Sequence, residues 1–307
     1  MNTYLPEGCL SDTPENRAAL QSAESLAGAQ RRGAVLEATV LKCGAAHDLV
    51  VDLGCMPGII PREEGALGIR EGSVRDIALI SRVGKPVAFT VTAVEKDETG
   101  APYALLSRRQ AQEKCVQNYL SALVPGDVIP ARVSHMETFA AFCDVGAGVS
   151  AMLPIDAVSV SRIPHPGARF LTGQMIRTVV RERDAVGRLV LTHKELLGTW
   201  EENAARFAPG ETVPGVIRSV EAYGVFVELA PNLAGLAEYN DRAVVGQRCA
   251  VYIKSILPRS MKIKLILVDV GGEAAPAEPE YFFTGSHVDR FVYSPPECPK
   301  RIETVFG

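Results

Sequence analysis

The sequence predicts an all-β-dominated chain in which three tandem five-stranded barrels are joined by short helices. Three observations predict this fold class. The composition, with 47% hydrophobic and 22% charged residues, is that of a globular protein with enough apolar material for several cores. Short alternations of apolar and polar residues are separated by turns rich in Gly and Asp, which is typical of small barrels. The same arrangement of segments recurs three times along the 307 residues.

The repeat is clearest at two nearly identical openings, residues 126–130 (GDVIP) and 210–214 (GETVP). Two aromatic residues follow each opening, 13 and 16 residues after its first glycine: Phe139 and Phe142 in the second copy, and Tyr223 and Phe226 in the third. Rings so spaced on a strand either present flat surfaces for stacking or fill the core of a small barrel. Their recurrence at identical spacing favours the stacking role.

The matching positions divide the chain into seven segments. They are an N-terminal helical segment (1–30), the first repeat (31–109), a linker helix (110–124), the second repeat (125–194), a second linker helix (195–208), the third repeat (209–269) and a linker with a C-terminal tail (270–307). Apolar spacing predicts the helices over residues 14–30, 107–123 and 194–207. We expect a structural role for Trp200, and we expect the aromatic-rich tail to dock on the third repeat.

Several classes of protein are not indicated. The seven cysteines are scattered and form no CxxC pair, which predicts reduced thiols in a cytoplasmic protein. The chain shows no secretory signal and no apolar run of transmembrane length, so we expect no membrane partner. No catalytic or phosphate-binding motif appears, which predicts no enzyme activity, no cofactor, no metal and no small-molecule substrate. The net charge is −4, with acidic residues concentrated at both ends and a mildly basic body.

The repeats carry a recognisable set of features. Glycines open the first and fourth strands, an aromatic-Gly-x-aromatic motif occupies the second strand, and Gly-Leu lies near the end of the third. This set, clearest in residues 215–220, 223–226 and 235–236, resembles the RNA-binding repeat of the ribosomal protein S1 family. The resemblance covers about residues 31–269 and implies three OB-fold barrels. Residues 125–132, 191–200 and 302–306 are similar to short, three-repeat members of that family.

The resemblance and the residue types together predict a site for single-stranded RNA. Aromatic rings stack on bases while basic side chains pair with phosphates. The candidate residues are Phe139, Phe142, Arg132, His135, Arg177 and Lys194 in the second repeat, and Tyr223, Phe226, Arg218, Lys254 and Lys264 in the third. The alternative for each lysine is a solvated strand face. The segment 159–170, with Arg162, His165 and Arg169, is expected to be an exposed loop that either contacts the ligand or is plain surface.

The sequence also departs from the family pattern. The family usually carries a His at the end of the third strand, where this chain has Pro61, Pro154 and Glu238. The carboxylate of Glu238 is expected to repel a phosphate. The first repeat has His47 and Val50 at the ring positions, so we expect it to be structural or to contact proteins.

These features predict an S1-like RNA-binding protein of the translation apparatus, with messenger RNA and the small ribosomal subunit as partners. One alternative is a protein-docking adaptor on the ribosome or on an RNA-processing complex, with little direct RNA contact. Another is an accessory set of barrels for an RNA-processing enzyme on a different chain.

Overall fold

Three closed five-stranded barrels make up most of the structure, a computed structural model that describes residues 4–307, and they confirm the predicted fold class. The chain separates into two compact units. The first contains the residues up to 123 together with 144–150, and the second contains 124–143 and 151–307. No helix among residues 4–307 is both long and apolar enough to cross a membrane.

The first barrel lies in the first unit. Its strands are β1 (Leu36–Cys43), β2 (Leu49–Asp52), β3 (Pro57–Ile60), β4 (Pro86–Lys96) and β5 (Pro102–Ser107). They close in the order β1-β2-β3-β5-β4, and only β3 and β5 run parallel, with Ile59 opposite Leu105. Alternate side chains point inward, so that Val51 and Phe89 are fully buried.

Four helices accompany this barrel: α1 (Pro14–Ala19), α2 (Ala23–Arg32), α3 (Ile77–Ile80) and α4 (Arg108–Asn118). The prediction of one helix over residues 14–30 was wrong. Ser22 has an extended backbone at φ −154°, and its hydroxyl accepts the Ser25 N–H, so a second helix begins there. Both α2 and α4 pack on β4, where the Thr90 hydroxyl donates to Gln110 Oε1 at 3.2 Å.

The second and third barrels repeat this topology. Their strands are β6 (Val128–Glu137), β7 (Ala140–Asp144), β8 (Ser150–Pro154), β9 (Met175–Arg183) and β10 (Leu189–Thr192), then β11 (Thr212–Glu221), β12 (Gly224–Ala230), β13 (Leu233–Ala237), β14 (Gln247–Leu257) and β15 (Lys262–Glu273). The parallel pairs are again the third and fifth strands, with Met152 opposite Val190 and Leu236 opposite Lys264. These registers give a residue-by-residue equivalence among the three barrels.

The connection between the second and third barrels is less helical than predicted. Instead of a helix over residues 194–207, a 3₁₀ turn (Lys194–Leu196) precedes the short helix α5 (Trp200–Ala204). The break falls at Gly198, whose φ of +84° suits glycine. Trp200 is 2% exposed and packs in the core of the third barrel, as expected for a structural residue.

The C-terminal tail contacts both of these barrels, whereas the sequence predicted docking on the third alone. On the second barrel, the Val128 N–H donates to the Ser286 carbonyl at 2.9 Å, and the Val288 N–H donates to the Gly126 carbonyl at 2.9 Å. A hairpin of β16 (Arg290–Val292) and β17 (Glu303–Val305) follows. Just beyond β16, the Tyr293 hydroxyl donates to the Asn232 carbonyl on the third barrel at 2.7 Å.

A buried histidine holds the start of the tail. The Nε2 atom of His193 lies 3.3 Å from the Tyr281 hydroxyl, which also accepts the Arg177 N–H at 2.9 Å. Burial, together with the charge of Arg169, lowers the pKa of His193 to about 4. The imidazole is therefore neutral at pH 7, and one ring nitrogen can donate to the Val158 carbonyl while the other accepts from Tyr281.

Acidification should release the tail from the second barrel. Because the folded pKa of His193 lies below the unperturbed value of about 6.5, its contribution to stability is complete above that pH and is lost as the pH falls towards 4. Hydrogen exchange of the Val128 amide, which the tail protects, measures the release. A His193→Asn variant keeps a donor but does not titrate in this range, and it should retain the tail at pH 4.5. Equal release in both proteins would contradict the assignment.

Close packing at Gly235 gives a test of the barrel core. A Cβ atom there would lie 2.6 Å from Leu265 Cδ1 and 2.9 Å from the Ile263 carbonyl oxygen. We expect Gly235→Val to lower the free energy of unfolding by about 1–3 kcal/mol, measured by urea denaturation. Gly272→Val is the matched control, because no atom lies within 4 Å of its Cβ position. Equal stability of the two variants would show that β13 and β15 can separate without cost.

Candidate nucleic-acid interface

A row of outward-facing side chains crosses the third barrel. Ser219 on β11 lies opposite Phe226 on β12, which lies opposite Leu236 on β13, which lies opposite Lys264 on β15. Tyr223 occupies the turn before β12 and is 68% exposed. Its ring centroid is 6.2 Å from that of Phe226, with the planes at 89°. The two rings therefore form a right-angled pair, and the row continues from Phe226 through the apolar Leu236 to the basic Lys264.

The second barrel presents the same ring pair. The centroids of Phe139 and Phe142 are 6.1 Å apart and their planes meet at 87°. His135, which occupies the place of Ser219 on the first strand, stacks on Phe142 at 4.5 Å with an interplanar angle of 2°. The Phe139 carbonyl accepts the Ile155 N–H at 2.9 Å, which ties the ring-bearing turn to the end of the third strand.

These rings do not both fill the barrel cores. Phe139 is 58% exposed and Tyr223 is 68% exposed, while Phe142 and Phe226 are half-buried beside them. The inward positions of the same strands belong to small or aliphatic residues, such as Cys143 in β7. Alternation along the strand directs Phe142 and Phe226 to the surface, while Phe139 and Tyr223 are exposed in the turns that precede these strands. The ring faces are accessible to flat molecules, which is the geometry that stacking requires.

The candidate basic residues occupy different environments. Lys254 and Lys264 are exposed on the third barrel, and Lys262 lies on the same side of β15 as Lys264. Lys194 is half-buried, with its ammonium 3.4 Å from the Asp156 carbonyl. Arg132 is half-buried on β6 opposite Met175. The exposed lysines of the third barrel are thus the most accessible of these charges.

Two predicted arginines are engaged inside the protein. Arg218 donates to both carboxylate oxygens of Glu228 at 2.9 Å, and its side chain is only 9% exposed. The Arg177 guanidinium donates to the Phe283 and Gly285 carbonyls and lies 5.5 Å from the Tyr281 ring centroid. The structure therefore directs Arg218 to a neighbouring carboxylate and Arg177 to the tail, away from the exposed rings.

Glu228 has a second partner from the other barrel. Arg169 donates to its two oxygens at 2.7 and 2.8 Å, so one carboxylate joins guanidinium groups from the second and third barrels. The prediction that Arg169 lies on an exposed loop was wrong, because this pairing buries it to 6% exposure. Burial raises the pKa of Glu228, but the hydrogen bonds and charges of the two arginines outweigh burial, and the pKa lies below its ordinary value.

The first barrel lacks the ring pair. The equivalent row contains Val50, Ile59 and Leu105, all aliphatic and half-buried. His47 has a φ of +66°, and its Nδ1 lies 3.5 Å from Asp76, which also pairs with Arg62. This barrel therefore offers an apolar row where the others offer aromatic rings.

The ends of the third strands differ among the three barrels. Pro61 and Pro154 each precede a 3₁₀ turn, Arg62–Glu64 and Ile155–Ala157 respectively. Glu238 is exposed just beyond β13.

The site residues predicted from the sequence did not include Leu236 and Met152, which lie on the third strands next to the rings. The signal was present, because the repeat register pairs these positions with the aromatic residues.

The buried carboxylate of Glu228 can be tested by stability. Glu228→Gln removes the negative charge between two buried guanidinium groups, so we expect a loss of about 3–5 kcal/mol in the free energy of unfolding. Glu221→Gln, at the exposed end of β11, is the matched control and should have little effect. The measurement is urea denaturation at pH 7. A loss no larger than that of the control would mean that Arg169 and Arg218 do not depend on this carboxylate.

Comparison with known proteins is consistent with this geometry. The family described as the S1 RNA binding domain matches residues 123–194, which contain the second barrel. The chain is 26% identical over 227 residues to the small ribosomal subunit protein bS1 homolog of Bacillus subtilis (strain 168), covering 72% of this chain and 56% of that protein. It is 26% identical over 226 residues to bS1 of Rhizobium meliloti (strain 1021), with coverages of 72% and 38%.

A third relative is bS1 of Leuconostoc lactis, which is 29% identical over 194 residues, covering 61% of this chain and 43% of that protein. The chain thus spans about half the length, or less, of these curated relatives. Three barrels of one topology, the S1 match over the second barrel and the similarity to these bS1 proteins together support an assignment to the ribosomal protein S1 family.

Proposed function

We propose that this protein binds single-stranded RNA through the ring pairs of its second and third barrels, and that messenger RNA is the physiological ligand. The observation that carries the proposal is the recurrence of one arrangement in both barrels, with ring centroids 6.1 and 6.2 Å apart and planes near a right angle. The match of residues 123–194 to the S1 RNA binding domain supports it.

Stacking on the exposed rings is the first part of the proposed mechanism. Tyr223 and Phe139 present open faces, and each is braced edge to face by its half-buried neighbour, Phe226 or Phe142. A base that stacks on such a ring gains about 1–3 kcal/mol, with little dependence on its identity. In the second barrel His135 extends the ring surface on one side of Phe142. The two barrels would therefore both accept bases but differ in the shape of the platform.

Phosphate pairing is the second part. In the third barrel Lys264 lies two strands from Phe226, with Leu236 between them, and Lys254 and Lys262 are exposed nearby. In the second barrel Lys194 and Arg132 are the remaining candidates. Each lysine that contacts a phosphate displaces bound counterions, so the affinity should fall as salt rises. Glu238 carries a negative charge just beyond β13 and would restrict where a phosphate can lie.

The small ribosomal subunit and the cytoplasm are part of the same proposal. The relatives from Bacillus subtilis and Rhizobium meliloti are named as small ribosomal subunit proteins. We propose that this chain likewise works in translation, holding single-stranded messenger RNA near that subunit.

A second candidate function rests on the first barrel. Its row of Val50, Ile59 and Leu105 replaces the ring pair with aliphatic side chains. Such a row suits contact with a protein better than stacking on bases, which supports a protein-docking adaptor on the ribosome or an RNA-processing complex. The two functions are compatible if the first barrel docks while the other two bind RNA.

Mutation of the third ring pair tests the RNA proposal. The double variant Tyr223→Ala, Phe226→Ala should bind a fluorescent 20-nucleotide single-stranded RNA about thirtyfold more weakly or worse, because two stacking surfaces are lost. Fluorescence anisotropy at several salt concentrations measures both the affinity and its salt dependence. Tyr103→Ala, a tyrosine truncation in the first barrel, is the control and should leave the affinity unchanged.

Equal affinity of the wild type and the double variant would reject stacking by the third barrel. The adaptor function is tested separately by capture of small ribosomal subunit proteins after ribonuclease treatment. Partners that persist and are lost in a Val50→Asp, Ile59→Asp variant would support docking by the first barrel. Partners that disappear with the RNA would contradict it.

A further inference from the structure

The outer face of the fourth and fifth strands is covered in the first barrel. At this face Thr90 on β4 lies opposite Ser107 on β5. The two residues are 2% and 0% exposed, because α4 begins directly after Ser107 and its Gln110 accepts the Thr90 hydroxyl. Helix α2 also lies against β4.

The equivalent face of the second barrel is covered by the C-terminal tail. There Val179 on β9 lies opposite Thr192 on β10, and the two are 0% and 1% exposed. Val179 packs in one apolar cluster with Val288 and Phe306 of the tail. Thus two different segments of the chain, a pair of helices and an extended tail, shield the same face of two barrels.

On the third barrel the equivalent pair is apolar and open. Tyr252 on β14 lies opposite Ile266 on β15, and they are 37% and 45% exposed. Val268 follows at a bulge in β15, where the pairing register shifts, and is 59% exposed. Within residues 4–307 these three side chains thus keep large exposed areas where the other two barrels are covered. We refer to Tyr252, Ile266 and Val268 as the open strip.

The backbone beside the open strip matches the backbone that holds the tail. In the second barrel Val128 lies opposite Val179, and its N–H points away from β9 to the Ser286 carbonyl. In the third barrel Thr212 lies opposite Tyr252 in the same register. The bonds that set this register are also the same, with Gly126 N–H to Val180 O in one barrel and Gly210 N–H to Ile253 O in the other.

The Thr212 N–H and the Gly210 carbonyl therefore point to the open side of β11. In the second barrel the groups at these positions, the Val128 N–H and the Gly126 carbonyl, each bond to the tail. A backbone donor and acceptor at this spacing can add an extended peptide segment as a further strand.

Three lysines flank the open strip, and the exposed Asp269 follows Val268. Lys254 flanks Tyr252 on β14, and Lys262 and Lys264 precede Ile266 on the same side of β15. Glu211 directly precedes β11, and its carboxylate accepts the Ala208 N–H at 2.8 Å. An occupant with carboxylates beside an apolar residue complements this surface.

We propose that the open strip and the free edge at Thr212 form a docking site for an extended acidic peptide segment of a partner protein. The segment would pair with the Thr212 N–H and the Gly210 carbonyl, place an apolar side chain on Tyr252 and Ile266, and set carboxylates near the three lysines. A peptide is favoured over RNA because the free edge at Thr212 pairs with peptide backbone, and because the strip has a single ring, Tyr252, beside the aliphatic Ile266 and Val268 in place of a ring pair. The open strip does not include Tyr223 or Phe226, and peptide binding does not require RNA, but the strip lies beside the three lysines that the proposed function assigns to phosphates, so peptide and RNA would compete for these charges.

A peptide of residues 280–289 (EYFFTGSHVD), the tail segment that covers the second barrel, is a suitable probe because it is extended, apolar and acidic at both ends. Fluorescence anisotropy with the full chain should show saturable binding. Tyr252→Ser with Ile266→Ser should weaken it about tenfold or more, and Thr212→Pro, which removes the outward N–H, should do the same. Val186→Ser, which changes a 73% exposed apolar residue in the second barrel, is the matched control and should have no effect.

Hydrogen exchange locates the bound peptide. Slower exchange at Thr212 with unchanged exchange at Val128 supports the site, whereas a change at Val128 instead would mean exchange with the chain's own tail and would overturn it. Absence of binding would also overturn the proposal. So would loss of RNA affinity in the Tyr252→Ser, Ile266→Ser variant, which would assign the strip to RNA. A concentration-dependent dimer abolished by the same variant in sedimentation would assign the strip to a second copy of the chain and overturn the peptide partner.

Discussion

Closure of five short strands into a barrel is the constraint on which the rest of the structure depends. It forces alternate side chains inward, and the interior of so small a barrel is filled by residues such as Val227 and Leu265. Every other position must face outward, including the aromatic positions of the second strand. The ring pairs are therefore exposed because the barrel has no room for them inside, and this same alternation leaves an outer face on the fourth and fifth strands that needs a cover.

The second and third barrels are joined by buried polar contacts. Glu228 joins Arg169 of one barrel to Arg218 of the other, and Asn232 accepts the Val160 N–H and donates to the Lys194 and Gly198 carbonyls. The tail adds contacts to both barrels. In the proposed function, two ring pairs on barrels connected in this way bind one RNA strand, since a second contact then costs less entropy than the first.

Much of the architecture followed from the sequence, because repeats at fixed spacing constrain topology strongly. The positions of the strands and of the aromatic pairs could be predicted from one well-preserved copy. The partners of Arg169 and Arg177 could not, because each bonds to a group from a segment distant along the chain. The partner of Arg218 lies on the next strand, but an arginine that pairs with a phosphate has the same local sequence as one that pairs with a carboxylate. The helix over residues 14–30 failed for a local reason, the competing cap at Ser22.

Photo-crosslinking of a single-stranded RNA to the intact protein, with crosslinked peptides identified by mass spectrometry, tests the central claim most directly. Aromatic side chains that stack on bases are positioned to react, so the account predicts crosslinks at Phe139 or Phe142 and at Tyr223 or Phe226, with the first barrel unlabelled. Crosslinks concentrated in the first barrel, or spread over the surface without enrichment at the two ring pairs, would contradict it.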